Sequence, residues 1–333
     1  MKAIWIRRSF LGNLRKVVRE TDFSKGERVA VKVHFGEYGN LTHVRPQIVN
    51  AVVEELLRKG VRPFLFDTPT LYPGSRDTPK KYLETARRHG FTEETMGCPI
   101  VISDEGVEVK GKKYLDVVEV AKPICEADGL FVLSHFKGHP DAGFGGCIKN
   151  IGMGCVTKET KRKMHEGPRP RIIGECSGCG ECVEVCKTGA ISLRGGKVHI
   201  DYSRCFGCCA CVEACPNGIL ESSGSLRTLL SEVAAVVLER FEKAFFVNVL
   251  FDITERCDCF PIGGLDAGRI ICPNLGMIAS RNVVVADKAA LDLVRKTVGD
   301  VFRKTNFVDP DEQIRSAVEF GLGPEDYELE VLD

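Results

Sequence analysis

Two runs of four cysteines with identical internal spacing lie in the middle of this 333-residue chain. Each run has the form C-x2-C-x2-C-x3-C, and Pro216 follows the second. The runs consist of Cys176, Cys179, Cys182 and Cys186, and of Cys205, Cys208, Cys211 and Cys215. Nine of the sixteen cysteines fall between residues 167 and 222. Because this segment has little apolar sequence for a core of its own, we expect bound metal to hold it together.

The cysteine spacing predicts two [4Fe–4S] clusters. Three cysteines at three-residue steps can surround one cubane, and the fourth lies on the next turn and reaches the partner cluster. One cluster is therefore assigned to Cys176, Cys179, Cys182 and Cys215, and the other to Cys205, Cys208, Cys211 and Cys186. Zinc is the alternative metal, but its sites favour paired CxxC ligands that are well separated in sequence. Clusters of this type imply one-electron redox chemistry.

Residues 170–222 resemble the bacterial two-cluster ferredoxins. The first run ends in Cys186-Lys187, where that family usually has Cys-Pro. A cation beside a cluster favours its reduced form, so this departure from the family pattern predicts a raised potential. Cys209 is needed for neither ligand set, and we expect it to be a packed thiol.

Outside this segment, short apolar runs alternate with stretches of helical periodicity. Strands are expected at 28–34, 61–67, 99–103, 129–134, 244–253, 282–286 and 327–332, and helices at 46–59, 78–89, 226–241, 287–298 and 311–320. The alternation predicts an α/β fold, a mostly parallel sheet with flanking helices. Residues 1–166 and 223–333 would form one discontinuous domain, into which residues 167–222 are inserted as a ferredoxin-like (α+β) module.

Charge and apolar content exclude two classes of partner. Lys plus Arg equals Asp plus Glu at 46 each, so the chain lacks the basic character of a nucleic-acid-binding protein. The first eight residues lead into no apolar segment of an export signal, and no run approaches the roughly 18 apolar residues of a membrane span. A disulfide scaffold would be short and exported, so we expect metal-bound thiolates in the reducing cytoplasm.

A candidate site follows the strand that ends near residue 134. Its polar residues are His34, after the first expected strand, and His135, Lys137, His139, Lys149 and Asn150. Ligands of open α/β sheets bind at strand ends, and a helix starting near Gly145 would direct its positive end at an anion. We expect these side chains to converge with the Gly145-Gly146 backbone around a small anionic ligand. The alternative is a solvated loop before a tightly packed helix.

Cys257-Asp258-Cys259 also comes just after an expected strand. Two cysteines one residue apart can ligate metal or carry redox chemistry, and buried thiols are otherwise inert. Cys272, Cys147 and Cys155 are the cysteines that could complete a third metal site with them. Ordinary buried thiols are the alternative, and Cys98 and Cys125 are expected to be structural.

Four segments resemble the family catalogued as domain of unknown function 362. They are VKVHFGEYGN at 31–40, LSHFKGHPDAGFGGCIKNIGMG at 133–154, CDCF at 257–260 and NLGMIASRNVVVADKAALDLV at 274–294. The resemblance implies the architecture and the place of the site, and assigns no reaction. We expect an iron–sulfur oxidoreductase that passes electrons between its clusters and a ligand or a redox partner protein. The alternatives are a non-catalytic electron carrier or docking subunit, and a metal- or cluster-handling protein.

Overall fold

The chain is built around an eight-stranded mixed sheet. The computed structural model describes residues 1–186, 188–205, 207, 209–222, 224–259, 268–306 and 308–333. The strands are β1 Lys2–Ile6, β2 Arg28–Val33, β3 Arg62–Asp67, β4 Ile100–Ile102, β5 Gly106–Lys110, β6 Val117–Ala121, β7 Gly129–His135, β8 Lys137–His139, β9 Gly143–Gly145, β10 Arg171–Ile172, β11 Ile191–Arg194, β12 Lys197–Ile200, β13 Leu220–Glu221, β14 Ala244–Leu250, β15 Gly276–Ser280 and β16 Glu328–Leu332. The helices are α1 Phe10–Arg19, α2 Pro46–Arg58, α3 Pro79–Arg88, α4 Glu93–Met96, α5 Lys122–Cys125, α6 Cys147–Gly154, α7 Lys158–Glu166, α8 Glu181–Glu184, α9 Ala210–Glu213, α10 Leu226–Leu238, α11 Val283–Val298, α12 Val301–Asn306 and α13 Asp311–Glu319.

The strand order in the sheet is β16-β1-β15-β14-β7-β2-β3-β4. Five of the seven neighbouring pairs are parallel, and β15 pairs antiparallel with both β1 and β14. From β2 the chain moves outward to β3 and β4, and then returns to place β7 on the other side of β2. The boundary between β2 and β7 is therefore the switch point at which open α/β sheets form a crevice.

Helices cover both faces of the sheet, as the alternating side chains of β2 require. Val29, Val31 and Val33 belong to the buried cluster that includes α1, α2 and α3. Ala30 faces the other cluster, which includes α6, α10 and α11. Lys32 has the same parity as Ala30, so its side chain lies on the α6 side.

The cysteine-rich insertion region forms small hairpins. β10 pairs with β13 where the region begins and ends, and β11 pairs with β12 inside it. Short helices α8 and α9 each begin within a cysteine run. Its own small core combines Ile191, Val198 and Leu220 with the side chains of Cys182 and Cys211.

One sequence prediction is wrong and another is displaced. The valines at 283–285 begin α11 instead of a strand, because Asn282 accepts a hydrogen bond from the Val285 N–H and caps the helix. Burial of these valines against the sheet outweighs their preference for strands. The helix expected near Gly145 begins at Cys147, after the β8–β9 hairpin. Among the described helices, none combines the length and the apolar character that crossing a bilayer requires.

Candidate functional site

A cavity of about 300 Å³ lies at the carboxyl ends of β2, β3 and β7. Parallel strands bring the residues that follow them to one edge of the sheet, which explains why distant segments meet here. All eight α/β candidates line this one cavity: His34, His135, Lys137, His139, Lys149, Asn150, Cys257 and Cys259. Gly145 and Gly146 also contribute to its wall. The surface-loop alternative does not describe this segment, in which β8 and β9 are buried throughout.

Asp258, which the sequence reasoning passed over, is bound to two of the predicted residues. Its carboxylate lies 2.8 Å from Nδ1 of His135 and 3.3 Å from Nζ of Lys137. The other ring nitrogen of His135 lies 2.8 Å from the carbonyl oxygen of Phe251, so both ring nitrogens have an oxygen partner. Burial opposes ionisation of Asp258, but the charges of His135 and Lys137 hold its pKa well below the usual range. This pairing fixes the turn that carries Cys257 and Cys259.

A second buried pair, Lys32 and Asp67, joins β2 and β3 to α6. Nζ of Lys32 lies 3.0 Å from Oδ1 of Asp67 and donates to Oδ1 of Asn150 at 2.6 Å. The Asn150 amide in turn donates to Oγ of Ser134 at 2.9 Å. The sequence contained a signal for Lys32, since a lysine inside the buried strand RVAVKV requires a partner.

Arg76 and Glu37 form a third group, beside His34. Nε of Arg76 lies 2.9 Å from Glu37 Oε2, and its Nη1 lies 2.7 Å from Nε2 of His34. Burial, followed by the charge of Arg76, lowers the pKa of His34 well below its usual value. His34 is therefore a neutral member of the cavity wall. Arg76 lies in no sequence pattern that predicted a site, and Glu37 lies in the family-like segment 31–40 without having been named as a candidate.

Helix α6 is positioned by a carboxylate from α11. Asp287 accepts hydrogen bonds from the backbone N–H groups of Cys147 at 2.7 Å and Ile148 at 2.9 Å. A Cβ atom at Gly146 would lie 2.6 Å from Asp287, so glycine is required for this approach. The expectation that the start of this helix would face a ligand anion is corrected here, because an internal carboxylate occupies these donors. Lys149 and Asn150 face the cavity from the same helix.

Two cations in the wall have no ion-pair partner among the residues that the structure describes. Lys149 lies 3.9 Å from Sγ of Cys257, and Lys161 donates to Oγ1 of Thr68 at 2.6 Å. The acids Asp67 and Asp258 are already paired with other bases. Burial raises the pKa of Asp141, a further acid in the cavity lining, to about 6. A small anion in the cavity would therefore meet the positive charge of Lys149 and Lys161.

Cys257 and Cys259 lie on one turn with their thiols close together. A hydrogen bond from the Cys259 thiol, assisted by the charge of Lys149, holds the pKa of Cys257 well below its usual value. The same hydrogen bond and burial raise the pKa of Cys259. One ligand atom each from Cys257, Cys259 and His139 lie within 4.8 Å of one another.

The other cysteines proposed for a third site lie elsewhere. Cys147 donates to Oδ1 of Asn248 at 3.4 Å on the far side of α6. Burial raises the pKa of Cys155 to about 12 and that of Cys272 to about 11. None of these three described residues lines the cavity, and all three have the character of packed thiols.

In the insertion region, four thiols surround one small void. Its lining includes Cys176, Cys179, Cys182 and Cys215, which come from both runs. Four thiols around one space are the donor set that an iron–sulfur cluster requires. Of the second set, Cys186, Cys205 and Cys211 are described, and Cys208 lies outside the described residues, as does Lys187.

Cys209 is tied to the base of the insertion region. Its Sγ atom lies 3.5 Å from the carbonyl oxygens of Pro168 and Gly224, the two connecting segments. A Cβ atom at Gly207 would lie 2.6 Å from Pro168 Cβ. The second cysteine run therefore packs directly on the connection to the α/β domain.

The comparisons with known proteins concern both family and fold. The family described as domain of unknown function (DUF362) matches residues 29–292. Curated proteins gave no match. A solved protein from Thermotoga maritima is 11% identical, with a TM-score of 0.42 over 74% of this chain and 51% of its own. The lactate racemase apoprotein from Thermoanaerobacterium thermosaccharolyticum is 14% identical, with a TM-score of 0.39 over 75% and 51%. The chain spans about half the length of these two proteins.

Proposed function

Since the chain belongs to the DUF362 family, whose description assigns no reaction, we propose from its own side chains that it is an iron–sulfur oxidoreductase. Two [4Fe–4S] clusters in an inserted ferredoxin-like module, residues 167–222, would supply single electrons. A small anionic ligand in the α/β cavity would be the electron donor or acceptor. The chain's own residues bind that ligand, keep water from it and hold it near the insertion.

The observation that carries the proposal is the void lined by Cys176, Cys179, Cys182 and Cys215. Cys215 is separated from the other three by more than thirty residues, yet its thiol borders the same space. A shared void of this kind supports the crossed assignment, in which the last cysteine of each run serves the other run's cluster. A zinc site that takes pairs of cysteine ligands from a single run does not require a cysteine from the other run.

The contacts at the base of the insertion support electron transfer toward the cavity. Cys209 and Gly207 of the second run pack on Pro168, and the same connectors continue into His165 and Leu226, which line the cavity. The cluster held by Cys205, Cys208, Cys211 and Cys186 would therefore be the nearer of the two. A ligand beside His165 would receive or donate electrons through this cluster.

The cavity supports an oxidoreductase more than a pure electron carrier. A carrier needs an exposed docking face, whereas the side chains of His135 and Lys137 are buried in a wall that surrounds an internal space. Buried charges are costly to maintain and concentrate where a ligand is bound. Lys149 and Lys161 supply the charge that would hold an anion.

Iron and sulfide content tests the proposal. Protein purified without oxygen should contain about eight iron and eight sulfide per chain, and reduction should produce the spin-resonance signals of two interacting four-iron clusters. Zinc without sulfide would contradict the iron–sulfur function. If full cluster content is accompanied by no binding of any small anion at the cavity, the carrier function replaces the oxidoreductase.

A further inference from the structure

From the arrangement of His139, Cys257 and Cys259 we infer a third metal centre, which holds one borderline-soft divalent cation such as Zn²⁺ in the wall of the α/β cavity. One ligand atom from each of the three residues lies within 4.8 Å of the other two. All three side chains line the cavity. None belongs to the cysteine runs, so this site does not depend on the iron–sulfur proposal.

The donor set selects the class of metal. Two thiols and an imidazole suit zinc and similar cations, whereas magnesium and calcium require oxygen ligands. Zinc bonds of about 2.3 Å to sulfur and 2.0 Å to nitrogen place tetrahedral ligand atoms roughly 3.5 Å apart. The three ligand atoms lie within 4.8 Å of one another, and rotation of the two cysteine side chains can bring them to these separations.

Asp258, between the two cysteines, holds their turn in place without joining the ligand set. Its carboxylate is bound by His135 and Lys137, and Oγ1 of Thr42 donates to it at 3.1 Å. Its backbone oxygen accepts the N–H group of Glu37 at 2.9 Å. Because Asp258 is anchored on this side, the flanking cysteines are both presented to the cavity. Such support of the ligand-bearing segment is typical of metal sites.

His139 reaches the site from a different element, strand β8. Its Nδ1 atom accepts the backbone N–H groups of Asp141 and Ala142, both at 3.2 Å, the long end of the normal range. Coordination through Nδ1 would displace these two donors, and coordination through Nε2 would move the ring proton to Nδ1 and give up both contacts. In either case one metal–nitrogen bond replaces two long hydrogen bonds.

Three protein ligands leave the fourth position of a tetrahedral ion open, which is the arrangement of catalytic zinc sites. Because all three ligands line the cavity, that position would open into it. Two thiolates neutralise a divalent ion, and Lys149, at 3.9 Å from Cys257, leaves the surroundings positive. The open position would therefore take one oxygen of a small anion, whose remaining charge lies near Lys149. The cavity ligand would then be a metal-binding oxyanion, such as a carboxylate.

Zn²⁺ is the probe for the test, and the cluster-loaded protein is the sample. One equivalent is added without oxygen and with a thiol reductant, and loosely bound ion is removed with a weak chelator. We expect about one zinc per chain with iron content unchanged. Zinc-edge X-ray absorption should show two sulfurs at about 2.3 Å and nitrogen or oxygen at about 2.0 Å.

Three variants test whether the added zinc binds at His139, Cys257 and Cys259. Cys257→Ser combined with Cys259→Ser should lose the zinc and keep the iron. Cys125→Ser, which changes a half-buried cysteine outside the cavity, should keep both. His139→Cys should retain zinc and raise the number of sulfur neighbours from two to three, a result that loss of folding cannot imitate.

Equal zinc in the wild type and the double variant would overturn the inference, and so would a shell of four sulfurs, which places zinc in the insertion region. Loss of iron from the double variant would also overturn it, since these cysteines would then serve a cluster. Failure of the iron–sulfur proposal is recognised separately, as absence of iron and sulfide from every variant. The zinc result remains readable then, because it is the difference between the wild type and the double variant.

Discussion

Nζ of Lys32 lies 3.0 Å from Oδ1 of Asp67, and the two side chains are 0% and 4% exposed. The pair joins adjacent strands at the edge of the sheet where the cavity opens, and Asn150 extends it to α6. Gly154 makes room for it, since a Cβ atom there would lie 2.1 Å from Lys32 Cε. This ion pair therefore links three elements of the cavity wall.

Removing one member of this pair should be strongly destabilising. Lys32→Met leaves the Asp67 carboxylate buried without its cation, which costs about 3–5 kcal/mol in the free energy of unfolding. Lys32→Met combined with Asp67→Leu should recover much of that loss. Urea unfolding, monitored by circular dichroism, measures the free energy of unfolding of the single and the double variant. Arg87→Met, which breaks an exposed pair with Glu84, should cause no measurable change, and a similar loss in all variants would contradict the prediction.

The second prediction is that each cluster takes its fourth cysteine ligand from the other run. Cys215→Ala should damage the cluster built from Cys176, Cys179 and Cys182, and Cys186→Ala should damage the other cluster. Spin-resonance spectra of the reduced variants distinguish the two losses. Cys209→Ser should keep both clusters, because its thiol contacts the connecting segments at Pro168 and Gly224 and belongs to neither ligand set. If each variant loses the cluster of its own run, the crossed assignment is wrong.

Anion binding in the cavity should depend on Lys149. Charge-assisted hydrogen bonds contribute roughly 1.5–3 kcal/mol, so Lys149→Ala should weaken sulfate binding by about ten-fold or more. Calorimetric titration with sulfate measures the change, and iron content and circular dichroism should not change. Lys163→Ala, on α7 outside the cavity lining, is the matched control. Equal affinities of the two variants would mean that sulfate binds elsewhere.

Sulfate binding in the cavity should weaken as the pH rises through neutrality. Burial lowers the pKa of Lys161 to about 7, so this side chain is cationic at pH 6 and largely neutral at pH 8. His165 is neutral throughout that range, because burial lowers its pKa to about 4. Asp141, whose pKa burial raises to about 6, also gains negative charge over this interval. Sulfate keeps its charge, so the affinity should fall by roughly ten-fold or more. In Lys161→Met the affinity should be low at both pH values, and a slope equal to that of the wild type would assign the titration to another group.

The sequence by itself determined the features that depend on short separations along the chain. Alternating apolar patterns gave the parallel core strands, the helices α2, α3 and α10, and the edge strand β16. The cysteine spacing predicts the cluster ligands, which remain a prediction. Gly145, Gly146 and the polar residues around them pointed to the segment that now lines the cavity. Periodicity and spacing carry this information because neighbours in sequence remain neighbours in space.

Only the tertiary structure decided which distant residues meet. Strand order brings Asp67 to Lys32, and Asp258 to His135, although no local pattern links them. It also directs an internal carboxylate to α6 in place of a ligand, and it brings His139 close to Cys257 and Cys259, where the sequence had offered Cys147, Cys155 and Cys272. Burial against the sheet turned residues 283–286 into a helix against their local preference. The physical reason is common to all of these: contacts between far segments arise from sheet topology and burial, which spacing along the chain does not encode.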